Sequence, residues 1–187
     1  MKKLTIFVDM DDTLELLLKA WLKRVNEIYG RSVCCEDVRE WDLTKAYPGL
    51  SWEQVYGTTF DKDFWKSVEP MPGAVEGLKA LMDQGHEVYV ATASLMENIP
   101  QKFTDVLFRY FPYLCWDQVI VTSKKQLLKG DVLIDDGVHN LLGGDYAKLL
   151  MDAPYNRDFD EKAAGMIRVR SWDEVVREVT RLAEEKE

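Results

Sequence analysis

The sequence predicts an α/β fold, a Rossmann-like parallel sheet with helices on both faces and a small helical cap inserted after the first strand. Two observations predict it. After residue 70, short apolar strands alternate with amphipathic helices, a pattern typical of parallel sheets covered by helices. Residues 31–70, by contrast, contain no convincing strand. We therefore predict a core formed by residues 1–14 and 71–187, with residues 15–70 as the cap.

The first strand is the apolar run Leu4–Val8, which leads straight into a cluster of acids. Apolar residues then recur every three or four positions from Leu14 to Ile28. This spacing predicts an amphipathic helix that ends near Gly30.

The later elements follow from the same periodicities and from their turn residues. Asp37 and Ser51 are typical caps of short helices. Ser171 and Glu174 form a predicted capping box before the last helix, and the acidic tail 184–187 is expected to fray. The core elements are expected in this order: helix 74–84, strand 86–91, helix 99–110, strands 118–121 and 132–134, a short helix 138–142, strands 147–151 and 166–169, and helix 171–184.

Composition and charge exclude several classes of function. The chain has 187 residues and a net charge of −9, so a broad nucleic-acid surface, which needs a basic stripe, is not expected. No apolar run is long enough to span a membrane, and no signal peptide is expected before the first strand. Three cysteines, two of them adjacent, do not suggest a disulfide framework and fit a reducing cytoplasm. We expect a cytoplasmic protein with a small-molecule partner, and a homodimer is left open.

Acidic side chains follow the first strand: Asp9, Asp11 and Asp12 lie within four positions. Carboxylates so close together raise one another's pKa unless a cation lies among them. Because Mg²⁺ prefers carboxylate oxygens, we predict a Mg²⁺ site here. The alternative is an ordinary acidic turn between a strand and a helix.

Three further strand ends carry complementary chemistry. In open α/β sheets, ligands bind outside the carboxyl ends of the strands, so these residues are expected to form one site with the acids. Carboxylates would hold the cation, while a hydroxyl and an ammonium would bind phosphate oxygens. The residues are Thr92 and Ser94 after one strand, Lys124 and Lys125 after another, and Asp135 and Asp136 after a third.

In order, spacing and strand context, these residues resemble the four motifs of the haloacid dehalogenase superfamily of phosphotransferases: Asp9-Met10-Asp11-Asp12-Thr13, Thr92, Lys125 and Asp135-Asp136. The closer resemblance is to the 5′(3′)-deoxyribonucleotidases, especially their bacterial members, and it covers nearly the whole chain. It rests further on Phe64-Trp65, Glu69-Pro70-Met71-Pro72-Gly73-Ala74, Leu133-Ile134 and Ser171-Trp172. The resemblance implies a haloacid dehalogenase-like core and Mg²⁺-dependent hydrolysis of a nucleoside monophosphate through an aspartyl-phosphate.

The resemblance also implies roles for the acids. Asp9 would be the nucleophile that attacks phosphorus. Asp11 would be the general acid to the leaving oxygen and then the base that activates water. Asp9, the backbone carbonyl of Asp11 and Asp135 would bind Mg²⁺, with Asp136 acting through water or as a hydrogen-bond acceptor behind the ligands. Which of Asp135 and Asp136 binds the cation directly is left open, and Asp135 is favoured.

Substrate contacts are implied in the same way. Thr92 and Lys125 would bind the phosphoryl oxygens, and Ser94 would add a hydroxyl or cap the following helix. Phe64 and Trp65 match positions that resemble the base-stacking pair of the family, and nucleobases stack well on aromatic rings.

Other polar residues near the motifs are assigned no part in the chemistry. Lys124 and Lys102 are expected to be surface lysines, although Lys102 could reach the phosphate. Asp12 is assigned to the start of the following helix. His86 and His139 are expected to be structural.

Two departures from the family limit what can be carried over. Leu16 and Leu17 lie where animal members place an aromatic residue over the base, and Gly137 lies where they often carry a charge. Base preference is therefore left open. The alternatives are a phosphatase of the same superfamily acting on a sugar phosphate and a non-catalytic phospho-ligand binding protein. A receiver domain, in which an Asp accepts a phosphoryl group, is excluded for two reasons. Receivers carry the acceptor Asp on a strand in the middle of the chain order, and they lack a helical insert after the first strand.

Overall fold

The computed structural model describes residues 2–185 and contains a six-stranded sheet whose pairings are all parallel. Across the sheet the strands lie in the order β3-β2-β1-β4-β5-β6. The predicted α/β fold is confirmed. In chain order the strands are β1 (Thr5–Val8), β2 (Glu87–Thr92), β3 (Val119–Val121), β4 (Val132–Asp135), β5 (Ala147–Met151) and β6 (Met166–Val169).

Strand β1 lies between β2 and β4 because its side chains are apolar on both faces. Phe7 is 5% exposed and Val8 is 0% exposed, as is typical of a strand covered on both sides. Val8 is level with Val90 of β2 and Ile134 of β4. The amide of Asp9 continues the ladder by donating to the carbonyl of Ile134 at 2.8 Å. The carboxyl ends of these three strands therefore meet at one place.

The helices agree with the predicted ones. Helix α1 ends at Gly30, whose φ of +61° is a left-handed conformation that suits glycine. A π-helical turn, Phe103–Leu107, connects α4 to α5, so the predicted helix 99–110 is continuous but has one widened turn. In chain order the helices are α1 (Leu17–Tyr29), α2 (Trp52–Tyr56), α3 (Ala74–Asp83), α4 (Ile99–Lys102), α5 (Phe108–Tyr110), α6 (Val138–Leu141) and α7 (Trp172–Glu185).

The two faces of the sheet are covered unequally. One face packs against α3, α7 and the α4–α5 segment. The other packs against the single turn of α6 and against loop residues such as Tyr146. Helices lie on both faces as predicted, but most of the helical residues that cover the sheet lie on one.

The predicted caps are mostly confirmed. Ser51 begins α2, and the hydroxyl of Ser171 accepts a hydrogen bond from the amide of Glu174 at 3.3 Å before α7. The prediction for Asp37 is wrong. Asp37 ends a 3₁₀ turn instead of starting a helix, because its carboxylate reaches back to accept from the amide of Cys34 at 2.8 Å.

Residues 15–70 add no strand to the sheet; they contain α1, α2 and short 3₁₀ turns. The amide of Leu16 donates to the carbonyl of Glu69, and the amide of Met71 donates to that of Leu14, both at 2.9 Å. The segment therefore leaves and re-enters the rest of the chain at one place. Its division from the core as a separate cap stays a prediction. It has its own apolar cluster, formed by Leu18, Leu22, Val25, Val38, Leu43, Tyr47 and Val55.

No helix within residues 2–185 is long and apolar enough to cross a membrane. Of the tail that is predicted to fray, Glu184 and Glu185 belong to α7, whereas 186 and 187 lie outside the described residues.

Candidate active site

Three buried carboxylates meet where β1 and β4 end. Asp9 is 3% exposed, and Asp135 and Asp136 are 0% exposed. One oxygen of each carboxylate lies within 4.8 Å of an oxygen of the other two. Negative charges this close together, and away from water, are unfavourable without a positive partner.

Lys125 supplies one positive charge to these carboxylates. Its Nζ lies 2.5 Å from Oδ1 of Asp9 and 2.6 Å from Oδ2 of Asp135, and its side chain is 1% exposed. Burial by itself would lower the pKa of Lys125, but the charges of Asp9 and Asp135 raise it above its ordinary value. Lys125 is therefore an ammonium ion at neutral pH.

The lysine leaves part of the negative charge unbalanced. Burial, together with the charge of Asp9, raises the pKa of Asp135 to about 7. Burial and the charge of Asp135 likewise raise the pKa of Asp136 well above its ordinary value. Hard divalent cations bind sets of carboxylate oxygens. A buried set of three acids with one ammonium therefore fits a divalent cation.

A second buried lysine contacts Asp11. Lys102 is 1% exposed; its Nζ lies 2.7 Å from a carboxylate oxygen of Asp11 and donates to the hydroxyl of Thr92 at 2.9 Å. The expectation that Lys102 is a surface lysine is therefore wrong. It joins the strand end of β2 to the strand end of β1.

The position of Lys102 in its helix explains its burial. Ile99, Phe103 and Val106 pack in the main core, and Lys102 lies on the same helical stripe. The Lys102 Nζ also lies 5.6 Å from the ring centroid of Trp65. The signal was present in the sequence, since a lysine at an apolar position of an amphipathic helix is a candidate for a buried charge.

The predicted hydroxyl residues differ in their surroundings. Thr92 is 0% exposed and accepts from Lys102. Ser94 is half-buried, and its hydroxyl donates to the carbonyl of Leu95 at 3.3 Å. Asn98, and not Ser94, precedes the first turn of α4, so the capping alternative for Ser94 is wrong.

The structure contradicts the predicted stacking role of Phe64 and Trp65. They are 1% and 2% exposed and belong to the main core. Their rings pack edge to face, with centroids 5.2 Å apart. Neither ring presents an open face to a ligand, because both side chains are buried in the main core.

Asp12 has the structural role predicted for it. Its φ is +49°, and its Oδ1 accepts from the amide of Leu18 at 2.9 Å, at the start of α1. Burial raises the pKa of Asp12 to about 7. The hydroxyl of Tyr155 lies 3.1 Å from its other oxygen.

Glu15 is a buried acid for which no role was predicted. It is 0% exposed, and neither carboxylate oxygen has a hydrogen-bond partner among the described residues. Burial, followed by the charge of Asp11, raises its pKa well above the ordinary value. Burial therefore favours the uncharged form of Glu15, beside the acid predicted to transfer protons.

Side-chain amides fix the two acids at the end of β4, and no motif in the sequence indicated them. Asn140 Nδ2 donates to Oδ1 of Asp135 at 3.0 Å. Asn156 Nδ2 donates to the backbone carbonyl of Asp136 at 2.9 Å. Asn140 lies in α6 and Asn156 in the turn Pro154–Asn156, so only the folded chain brings both to the acids.

The two histidines have partners outside the cluster of acids. Nδ1 of His86 accepts from the amide of Leu4 at 3.2 Å, a structural role as predicted. His139 packs against the ring of Trp41, with centroids 4.7 Å apart.

One cavity borders Asp11 and Asp12, a second lies beside Ser94 after β2, and aromatic rings of the 15–70 segment line both. The first has a volume of about 130 Å³ and the second, an open cleft beside Ser94, about 730 Å³. Trp41 and Tyr56 line both cavities. These two aromatic residues border the site, whereas Phe64 and Trp65 do not line either cavity. The smaller cavity is lined by Asp11, Asp12, Leu17, Leu18, Trp21, Val38, Trp41, Leu43, Tyr56 and Tyr155.

Sequence comparison finds relatives over nearly the whole chain. The family described as "5′ nucleotidase, deoxy (Pyrimidine), cytosolic type C protein" matches residues 2–184. The chain is 33% identical over 182 residues to a 5′(3′)-deoxyribonucleotidase of Bacillus subtilis (strain 168), covering 96% of this chain and 99% of the relative. It is 28% identical over 174 residues to a 5′(3′)-deoxyribonucleotidase of Clostridium acetobutylicum, covering 93% of both.

A solved structure shares the fold. A HAD-hydrolase from Bacillus subtilis bound to magnesium superposes with a TM-score of 0.59 at 13% sequence identity, covering 95% of this chain and 98% of that one. At this identity the likeness concerns the fold alone, and it agrees with the haloacid dehalogenase-like core predicted from the four motifs.

Proposed function

The chain belongs to the 5′ nucleotidase, deoxy (Pyrimidine), cytosolic type C family of phosphoric monoester hydrolases, and we propose that it is a Mg²⁺-dependent 5′(3′)-deoxyribonucleotidase acting through an aspartyl-phosphate. The observation that carries the proposal is the pairing of Asp9 and Asp11 with two different buried lysines, Lys125 and Lys102. One carboxylate can then act as a nucleophile while its neighbour transfers protons.

The proposed reaction has two displacements. In the first, a carboxylate oxygen of Asp9 attacks phosphorus, the bond from phosphorus to the nucleoside oxygen breaks, and Asp11 gives that oxygen a proton. In the second, water attacks the phosphorus of the aspartyl-phosphate, its proton passes to Asp11, and the bond to Asp9 breaks. Lys125 and Thr92 would bind the non-bridging oxygens, where negative charge must be stabilised.

The metal would be held by the acids already described. Asp9, Asp135 and Asp136, with the backbone carbonyl of Asp11, would hold Mg²⁺, which supplies positive charge to offset the phosphate dianion beside an anionic nucleophile. The close approach of three carboxylate oxygens within 4.8 Å supports this assignment.

The smaller cavity supports a nucleoside as the leaving group. It adjoins Asp11, which would protonate the leaving oxygen, and its remaining walls are mostly apolar or aromatic. Stacking of a nucleobase on an aromatic ring contributes about 1–3 kcal/mol. Trp41 and Tyr56 are the rings offered here. A sugar phosphate, the second candidate, has no base to stack on these rings.

A panel of phosphate esters tests the proposal. Release of inorganic phosphate would be measured at neutral pH, with Mg²⁺ or with a chelator, from deoxyribonucleoside 5′- and 3′-monophosphates, ribonucleoside monophosphates and sugar phosphates. We expect turnover of deoxyribonucleotides only with Mg²⁺. Faster turnover of sugar phosphates would favour the second candidate instead, and no release from any ester would favour a binding protein.

The variant Asp9→Asn tests the nucleophile in the same assay. We expect phosphate release to fall to background while deoxyribonucleotide binding, measured by calorimetry, persists, because the amide cannot form the acyl phosphate. Turnover near the wild-type rate would show that Asp9 is not the nucleophile.

A further inference from the structure

Tyr155 lies on a turn that is fixed to the site. The turn Pro154–Asn156 follows β5, and the side chain of Asn156 holds it in place. Its Nδ2 donates to the carbonyls of Asp136 and Met151 at 2.9 and 2.8 Å, and Arg168 donates to its Oδ1 at 2.7 Å. These hydrogen bonds fix the turn that carries Tyr155 next to the acids.

The hydroxyl of Tyr155 lies between two carboxylates. It is 2.5 Å from Oδ2 of Asp136 and 3.1 Å from Oδ2 of Asp12. A phenol has one proton to donate, and Asp136 is the nearer acceptor. On its other side, Oδ1 of Asp136 lies 3.4 Å from the hydroxyl of Thr13. The carboxylate of Asp136 is therefore held from both sides in the orientation that faces Asp9.

The ring of Tyr155 has a separate contact. The indole of Trp41 packs edge-on against it, with centroids 5.2 Å apart at an angle of 89°. Trp41 is 51% exposed and lines both cavities beside the site. The hydroxyl of Tyr155 thus contacts an acid of the proposed metal site, and its ring contacts an aromatic residue that lines the proposed substrate cavity.

We infer that Tyr155 is a positioning residue with two separable functions: its hydroxyl orients Asp136 for the divalent cation, and its ring holds Trp41 against the substrate cavity. The inference rests on the proposed function, since it assigns Asp136 to the metal and the cavity to the substrate. It predicts that the two contributions can be removed one at a time.

The variants Tyr155→Phe and Tyr155→Leu separate these contributions. Phenylalanine keeps the ring and removes the hydroxyl. We expect the Kd for Mg²⁺, measured by calorimetry without substrate, to rise about 10- to 100-fold, the usual effect of losing a hydrogen bond behind a metal ligand. At saturating Mg²⁺, the KM for the nucleotide should change less than about threefold, within the uncertainty expected for an intact ring contact.

Leucine removes the hydroxyl and the aromatic edge together. It should weaken Mg²⁺ binding as phenylalanine does and, at saturating Mg²⁺, should also raise the nucleotide KM about tenfold, as expected for a lost aromatic contact and a loosened stacking wall. The control is Tyr113→Phe, which removes a hydroxyl that donates to the carbonyl of Val75 at 2.6 Å, in a contact that involves none of the acids. It should leave both quantities unchanged.

Two outcomes would overturn the inference. If folded Tyr155→Phe bound Mg²⁺ with a Kd within twofold of wild type, the hydroxyl would not orient Asp136 for the cation. If the phenylalanine and leucine variants had equal KM values for the nucleotide, the ring would not hold Trp41 against the substrate cavity. Thermal unfolding of each variant identifies a loss that comes from misfolding, and Tyr155→Phe keeps the ring so that the fold is retained. If the wild-type protein itself bound no divalent cation, the proposed function would be wrong, which is a different result from either outcome.

Discussion

Each acid of the Asp-Met-Asp motif is paired with a buried lysine from a different element. Lys125 follows β3 and lies 2.5 Å from Asp9; Lys102 ends α4 and lies 2.7 Å from Asp11. The two carboxylates therefore have separate cationic partners, which agrees with the different roles proposed for them. A nucleophile and a general acid need this separation, since the first must remain an anion while the second exchanges a proton.

Replacement of Lys102 should therefore affect chemistry more than substrate binding. In Lys102→Met the apolar stem is kept and the charge beside Asp11 is lost. Because general acid–base catalysis contributes about 10²–10⁴-fold, we expect kcat to fall by about 100-fold or more, as measured by steady-state phosphate release.

Lys124→Met is the matched control, since Lys124 is an exposed lysine only one residue from the site lysine Lys125. Its kcat should stay within about twofold of wild type, as for most surface changes. A Lys102→Met protein that kept its kcat would show that Asp11 does not depend on this partner.

Among single residues, those whose position follows from the order of the strands were predictable from the sequence. Those whose position depends on how the segments pack were not. Asp9 and Asp135 lie at strand ends, and adjacent parallel strands bring such ends together whatever the details of the core. The burial of Phe64, Trp65 and Lys102 depends on how the 15–70 segment and α4 pack. Family resemblance and local polarity therefore placed two rings at the ligand and the lysine at the surface, and the structure reverses both.

At the scale of elements, helices α3 and α7 come very close together at one point. A Cβ added to Gly77 of α3 would lie 2.7 Å from Cε3 of Trp172 in α7. Trp172 is 1% exposed, and its indole N–H donates to the carbonyl of Thr13 at 2.9 Å. This contact between two helices thus also supports the loop that follows β1 and carries Asp9, Asp11 and Asp12.

The substitution Gly77→Ala should destabilise the protein. The added methyl group overpacks the Trp172 ring at a cost of about 1–3 kcal/mol, of which the better helix propensity of alanine recovers up to about 1 kcal/mol. We expect a lower midpoint of urea unfolding with an unchanged m-value.

Gly57→Ala is the control for this substitution, because Gly57 has a φ of −61° and no atom within 4 Å of an added Cβ. Its stability should be unchanged or rise by about 0.4–1 kcal/mol. An equal effect of the two substitutions would contradict the close packing of α3 on α7.

The lengths and order of the elements were predictable for a related reason. Apolar periodicity extends over many residues in a segment such as 99–110, so the helix is recognised even though its exact geometry is not. The widened turn Phe103–Leu107 shifts the periodicity by a single residue, which leaves too little signal in the sequence to identify it.

At the scale of the whole molecule, the buried acids make stability depend on pH and on metal. Burial raises the pKa of Asp12 and Asp135 from 3.8 to about 7, and raises that of Asp136 and Glu15 as well. At these four acids the folded state therefore binds more protons than the unfolded state between about pH 4 and pH 7. Their contribution to stability in the absence of metal falls as the pH rises through this range.

The variant Asp136→Asn measures the contribution of one of these acids. The lowered pKa values of His86 and His139 act in the opposite direction, but both histidines are present in the variant and in wild type, so their effect cancels in the comparison. In a chelator, the Tm of the variant relative to wild type should be higher at pH 8 than at pH 5. A difference of about 1 kcal/mol corresponds to about 2–4 °C for a protein of this size.

Added Mg²⁺ should reverse this ranking at pH 8, since binding to the folded state stabilises wild type more than a variant that lacks one acid. A Tm difference that did not change with pH, with or without Mg²⁺, would show that Asp136 does not take up a proton in the folded protein.

The backbone hydrogen bonds that join the two ends of the 15–70 segment have a consequence for how such a protein can diversify. Leu14 is bonded to Met71, and Leu16 to Glu69, at the point where the segment begins and ends. Because these hydrogen bonds close the segment at its base, we expect insertions or replacements between them to leave the register of the sheet, Asp9, Lys125 and the acids of β4 in place. If the proposed function is correct, the range of substrates can change through this one segment while the residues proposed to act on the phosphate are kept.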